Sequence, residues 1–147
     1  MVRLPSFFEI ELGAPLSFCF AWLTDYQETD KAINPALTSR KVVERSPTVV
    51  KLQDESTGPP LNKRRVTVHL HAPDSWEAQG EGTIYDYDLH YHLEPTARAT
   101  RLTISGTVIT KPMCPFKTRE GNHARFVKGW GNYKRALEAD FKASGAK

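Results

Sequence analysis

The sequence predicts an α+β fold: a seven-stranded antiparallel sheet wrapped around a long C-terminal helix, with two short helices after the first strand. Three observations predict it. Apolar and polar residues alternate over residues 7–12 and again in six short segments between residues 38 and 110, the period of strands buried on one face. Short connections such as Ser46-Pro47 and Pro73-Asp74 join the six, so consecutive strands pair as an antiparallel meander. Then the period changes. Phe126, Trp130, Tyr133, Leu137 and Phe141 recur at three and four residues, the stripe of one amphipathic helix.

Each element follows in order. "FFEIEL" puts Phe8, Ile10 and Leu12 on one face and Glu9 and Glu11 on the other. Pro15 suits the first turn of a helix whose face carries Leu16, Phe20 and Leu23, with Cys19 beside them, and which stops near Asp25. A second short helix fits around Glu28 to Ile33, ahead of Pro35. "TSRKVVERS" and "TVVKLQDES" are strands, and "STGPPLN" is a longer turn. "NKRRVTVHLH" places Val66, Val68 and Leu70 together. "SWEAQ" is a short strand, and Gly80-Glu81-Gly82 reads as a turn. "TIYDYDLHYHLE" and "ATRLTISGTVIT" form a long hairpin across "PTAR". The first strand closes the sheet beside the last, and the helix buries its stripe on the concave face. Gly129 and Gly131, each costing about 1 kcal/mol against Ala in a helix, either admit a close neighbour or a bend, or are simply tolerated.

Composition narrows the function classes. A chain of 147 residues suits one domain, taken as 1–147. A formal charge of +3 with no dense basic stripe argues against nucleic acid, and "NKRR" reads as a solvated strand end. The opening residues lack the apolar core of an export signal, and no apolar run approaches a membrane span. Two cysteines, Cys19 and Cys114, make no disulfide framework. The expectation is a soluble protein of the reducing cytoplasm, without stable membrane insertion.

Two stretches carry a resemblance. "FAWLTDY", Phe20 to Tyr26, ends the first helix with an aromatic followed by Leu-Thr-Asp. "LEPTARATRLT", Leu93 to Thr103, makes the last hairpin. With the order of elements over essentially the whole chain, these resemble the START-like, or SRPBCC, superfamily, the helix-grip fold shared with pollen allergens and polyketide cyclases. The resemblance implies a deep cavity between the sheet and the last helix, where relatives bind lipids, sterols, quinones, hormones or polyketides. Some relatives only carry their guest; others catalyse cyclisation, dehydration or hydrolysis. Fold alone does not choose between these.

Side-chain alternation sorts the faces. Tyr85, Tyr87, Leu89, Tyr91 and Leu93 gain by burial and face the helix, while Ile84, Asp86, Asp88, His90 and His92 face out. Val66, Val68 and Leu70 point in, and His69 and His71 point out. Leu102, Ile104 and Val108 complete the lining. The residues expected to touch a guest are Val66, Val68, Tyr87, Leu89, Tyr91 and Ile104 on the sheet, and Phe126, Trp130, Tyr133 and Leu137 on the helix. Trp76 adds a ring. The cavity is expected to be mostly apolar, with tyrosine hydroxyls as its polar points. Arg64 is in phase with Val66 and is either an exposed strand-end residue or a cation pointing into one end of the cavity. In the second case, Arg64 with Tyr85 or Tyr87 is the candidate catalytic set, stabilising an enolate and relaying protons.

Four of the five histidines form two His-x-His pairs, both on the outer face. The two strands that carry them stand two spacings, roughly 9.6 Å, apart. One pair with Asp88 falls short of the three or four converging ligands a stable zinc site needs, so no metal is expected. No Ser-His-Asp or Cys-His spacing and no glycine-rich phosphate loop occurs, so no cofactor is implied. Cys19 reads as a small core residue. The loop from Thr110 to Gly121 either covers the cavity mouth or plugs the core. The expected function is binding of a hydrophobic small molecule: lipid, quinone or polyketide-like. The alternative is a cyclase or dehydratase-type enzyme using the same cavity. A third reading is an interaction protein whose cavity is filled by its own side chains.

Overall fold

A computed structural model describes residues 1–57 and 60–145. The chain runs β1 (Val2–Leu12), α1 (Leu16–Leu23), a short 3₁₀ turn (Glu28–Ala32), β2 (Ser39–Arg45), β3 (Val49–Ser56), β4 (Asn62–His71), β5 (Ser75–Gly82), β6 (Tyr85–Pro95), β7 (Thr100–Thr110) and α2 (Arg119–Ala143). The strands form one antiparallel sheet in the order β1-β7-β6-β5-β4-β3-β2, with β1 closing on β7 from Val2 opposite Thr110 to Leu12 opposite Thr100. This is the architecture that the alternation and the change of period predict. The middle of the turn after β3, Gly58 and Pro59, lies outside the described residues.

The core lies between the concave face and α2. Phe8, Leu12, Val50, Leu52, Val66, Val68, Leu89, Leu93, Leu102 and Ile104 rise from the strands to meet Phe126 and Leu137. At about 25 cal/mol per Å² of apolar area, this shared burial is the main force holding helix to sheet. Polar ties then fix where the helix sits. Thr118 caps α2 by accepting the Gly121 N–H at 3.0 Å. Asn122 Nδ2 donates to Ser6 Oγ at 2.8 Å, and Lys134 Nζ donates to the Glu11 carbonyl. Glu138 accepts the Gly13 N–H at 2.6 Å. The three ties from Asn122, Lys134 and Glu138 all run to β1 or the residue after it. At the far end α1 clamps the helix, with Phe18 edge-on to Phe141 at 5.0 Å and Trp22 Nε1 donating to Asp140 at 2.7 Å. So α2 leans on the β1 side of the bowl and leaves its other flank free.

Two expectations need correction. Gly80-Glu81-Gly82 is not a turn: β5 runs to Gly82, and Gly80 pairs with Tyr87. A Cβ on Gly80 would lie 2.3 Å from Tyr87 Cε1, so the missing side chain is space for that ring. Ile84 does not face out with the aspartates. It lies ahead of β6 and is buried with Leu4, Tyr85, Val108 and Cys114. Of the alternatives for Gly129 and Gly131, a close neighbour is excluded: a Cβ on Gly129 meets nothing within 4 Å, and one on Gly131 makes only ordinary contact with Arg135.

Candidate ligand-binding site

Because α2 leans on β1, its free flank and strands β3 to β6 do not meet. The segment from Leu23 to Asn34 roofs the gap, and a cavity of about 470 Å³ remains, within the usual range for small-molecule sites. Gly129 lies on its helix side. At the other end the loop after β7 acts as a plug: Cys114 is buried, and Phe116 packs on Tyr85 at 5.3 Å between ring centres.

Aromatic rings wall the cavity in a continuous path. Trp76 and Tyr91 stack almost parallel at 4.9 Å and 4°; Tyr91 lies 6.2 Å from Trp130, and Trp130 lies 5.3 Å from Tyr133. Burial pushes the phenols of Tyr26, Tyr87, Tyr91 and Tyr133 above the ordinary tyrosine value. At neutral pH each keeps its proton and offers a hydrogen-bond donor, not a base. Tyr26 sits in the roof with φ +37°, a strained conformation for a residue with a side chain. Arg45 donates to its carbonyl, and the Arg40 guanidinium lies 5.6 Å from its ring centre.

One end of the cavity is charged, which overturns the expectation of a mostly apolar wall. Asp54 is 3% exposed and accepts a two-pronged pair of hydrogen bonds from Arg40, Nε and Nη2, each at 2.9 Å. Arg40 Nη1 also meets Asp30 in the roof at 2.8 Å. Burial alone would weaken the charge on Arg40; the Asp54 bonds outweigh it and hold the guanidinium ionised. Arg64 points into the cavity, not to solvent. Its Nη1 donates to the Tyr85 hydroxyl, its Nη2 lies 3.9 Å from Asp54, and its Nε is buried without an acceptor. Arg125 of α2 lies over the same Tyr85 ring, 4.9 Å from its centre, where Arg64 stands at 5.5 Å.

Of the residues expected to touch a guest, Val66, Tyr87, Leu89, Tyr91, Phe126, Trp130 and Tyr133 line the cavity. Val68, Ile104 and Leu137 do not. Each is 0% exposed and packed in the core, where helix and sheet meet without a gap. The candidate catalytic residues Arg64, Tyr85 and Tyr87 are adjacent: Arg64 bonds Tyr85, whose ring centre is 6.1 Å from that of Tyr87. Cys19 is fully buried on the inner side of α1. The histidine pairs lie on the convex face. His69 and His90 flank Glu77 in one cross-strand row, with His90 Nδ1 3.3 Å from Glu77 Oε2. Among the described residues no three His, Cys, Asp or Glu side chains converge as metal ligands would.

Residue-by-residue reading missed Arg40, Asp54, Arg125 and Tyr26. Signals existed for three of them. Asp54 is in phase with Val50 and Leu52, and Arg40 with Val42, so both point inward and pair directly across β2 and β3. Arg125, Gly129 and Tyr133 recur at four residues, which marks the flank of α2 beside its apolar stripe.

No family model matches the sequence, and no curated protein matches it significantly. Solved structures do. The Zhui aromatase/cyclase from Streptomyces sp. R1128 superposes with a TM-score of 0.77 at 13% identity, over 99% of both chains. Ara h 8.0201 gives 0.73 at 16% identity, over 96% of this chain and 99% of that one. A START superfamily protein from Mycobacterium smegmatis gives 0.71 at 14% identity, over 95% and 97%. The chain therefore has the START-like, helix-grip fold. At these identities the likeness concerns the fold.

Proposed function

We propose that the protein binds a flat hydrophobic small molecule, quinone-like or polyketide-like, in the cavity between the sheet and α2. The observation that carries this reading is the cavity itself: about 470 Å³ beside the free flank of the helix, walled by stacked rings. Val66, Tyr87, Leu89, Tyr91, Phe126, Trp130 and Tyr133 are the guest contacts. A wall of ring faces favours a planar guest over an extended lipid chain, because offset stacking adds to area burial. The guest is met in the cytoplasm, where the buried free thiols of Cys19 and Cys114 stay reduced.

A second reading has one specific observation behind it. Arg64, hydrogen-bonded to Tyr85 and beside Tyr87, is placed to polarise a carbonyl and stabilise an enolate while a tyrosine donates a proton. An aromatase/cyclase is also among the structural neighbours. Tyr87, held as the neutral phenol by burial, suits the donor role but not that of the base that forms the enolate.

Native mass spectrometry of the purified protein tests the binding reading. A co-purified or added aromatic guest is expected to shift the folded mass and to leave on denaturation. A folded protein that takes up no aromatic, quinone or lipid probe would favour a filled core. Chemical change of the guest, lost in Arg64→Gln with binding kept, would move the assignment to the enzyme.

A further inference from the structure

The cavity reading leaves the head group of the guest open, and the charged end addresses it. Arg125 is held by rings, not by acids. Its guanidinium carbon lies 4.4 Å from the centre of Phe116, 4.9 Å from Tyr85 and 5.2 Å from Phe126. Its Nη2 donates to the neutral Asn122 amide at 3.2 Å, and its Nε is buried without an acceptor. Among the described residues no carboxylate lies within 4.0 Å of it. A cage of ring faces fixes a cation in place and leaves its charge uncancelled. Arg64 lies over the same Tyr85 ring at 5.5 Å, and the carboxylate nearest to it, Asp54, is already gripped by Arg40 at 2.9 Å.

The acids of the cavity stand elsewhere. Asp25 and Asp30 belong to the roof. Asp140 is fifteen residues along α2 from Arg125, about 22 Å at the rise of a helix. Arg125 and Arg64 therefore share the Tyr85 ring at the plugged end with fewer anions than cations around them. Partly buried guanidinium groups in such a position are costly without an anion, and binding one recovers that cost.

We propose that this end of the cavity is a carboxylate subsite, so that the guest is a planar aromatic acid held with its rings toward Tyr91 and Trp130 and its carboxylate between Arg64 and Arg125. The proposal rests on the cavity reading above. Guanidinium forks match a carboxylate with two parallel hydrogen bonds, and Arg125 Nη1, which has no protein partner among the described residues, is the donor free to begin that contact.

Calorimetric titration of the folded protein with naphthoate and with naphthamide, which share the ring system and differ in charge, tests it. The acid is expected to bind about ten- to a hundredfold more tightly, the scale of a hydrogen bond to a charged group. Arg125→Gln is expected to bring the ratio of naphthoate to naphthamide affinity to about one, and Arg125→Lys to restore part of the preference. Equal affinity for the two probes, or a preference that survives Arg125→Gln, overturns the subsite and leaves the cavity reading standing. If neither probe binds, the cavity reading falls and the subsite with it. Decanoate distinguishes the source of the acid: tighter binding than naphthoate keeps the carboxylate subsite and assigns the guest to acyl chains.

Discussion

Asp54 shows how much one side chain can decide. It sits between two inward-facing arginines, and its pairing with Arg40 is geometrically favourable. Removing it leaves Arg40, whose side chain is 9% exposed, with only the roof residue Asp30. Asp54→Ala is expected to cost about 3–5 kcal/mol in urea unfolding, the usual penalty for orphaning a buried charge. A loss below about 1 kcal/mol would mean that water reaches this end freely. Gly80 makes a second, independent case. Gly80→Ala drives a methyl into the Tyr87 ring and is expected to cost about 1–3 kcal/mol. Because the clash is with one ring, Gly80→Ala with Tyr87→Ala should lose clearly less than the sum of the two single changes. The convex face is the control. His90→Ala with His92→Ala removes exposed rings and should change stability by no more than about 0.5 kcal/mol.

At the scale of elements, α2 is fixed to β1 by carboxylate and ammonium contacts whose strength depends on pH. Burial raises the Glu138 carboxyl, but the Lys134 hydrogen bond, the Gly13 N–H and the charges of Lys134 and Lys142 outweigh it and hold it below its ordinary value. The folded state therefore binds this proton more weakly than the unfolded chain does. Its stabilisation is fully present above the unfolded carboxyl value and is lost as pH falls through the folded one. Glu138→Gln should be less stable than the parent at about pH 7, and the gap should narrow toward about pH 3. A gap that stays constant with pH would show that the contact works without charge. The elements were legible in the sequence because period and turn residues are local properties. The end of β5 was not: Gly80 and Gly82 look like a turn until the Tyr87 ring is known to need the space at Gly80, and the Tyr85 carbonyl with Arg64 and Asn62 that at Gly82. The plugging role of Phe116 depends on packing against Tyr85 and Arg125, which no spacing in that loop encodes.

At the scale of the molecule, the off-centre seat of α2 turns a packed sheet and helix into a sheet, a helix and a cavity. Alternation placed Tyr87, Leu89, Tyr91, Trp130 and Tyr133 on the right faces, but it could not tell a face that meets the helix from one that meets the gap. Val68 and Ile104 share their phase with cavity residues and are core. The charged end was overlooked for a related reason: inward-pointing Asp54 and Arg40 look like surface residues until their pairing across β2 and β3 is drawn.

The central claim is that this cavity is the binding site, and Gly129 offers the most direct test. An added Cβ there meets no atom within 4 Å, so a side chain at this position grows into open space on the cavity side of α2. Gly129→Trp should fold at least as well as the parent, since replacing a helical glycine gains up to about 1 kcal/mol. Titrated with naphthoate in the calorimeter, the parent protein is expected to bind and Gly129→Trp to show no binding, with Tm unchanged or raised. Binding of undiminished affinity by a well-folded Gly129→Trp would contradict the account and place the guest outside this cavity.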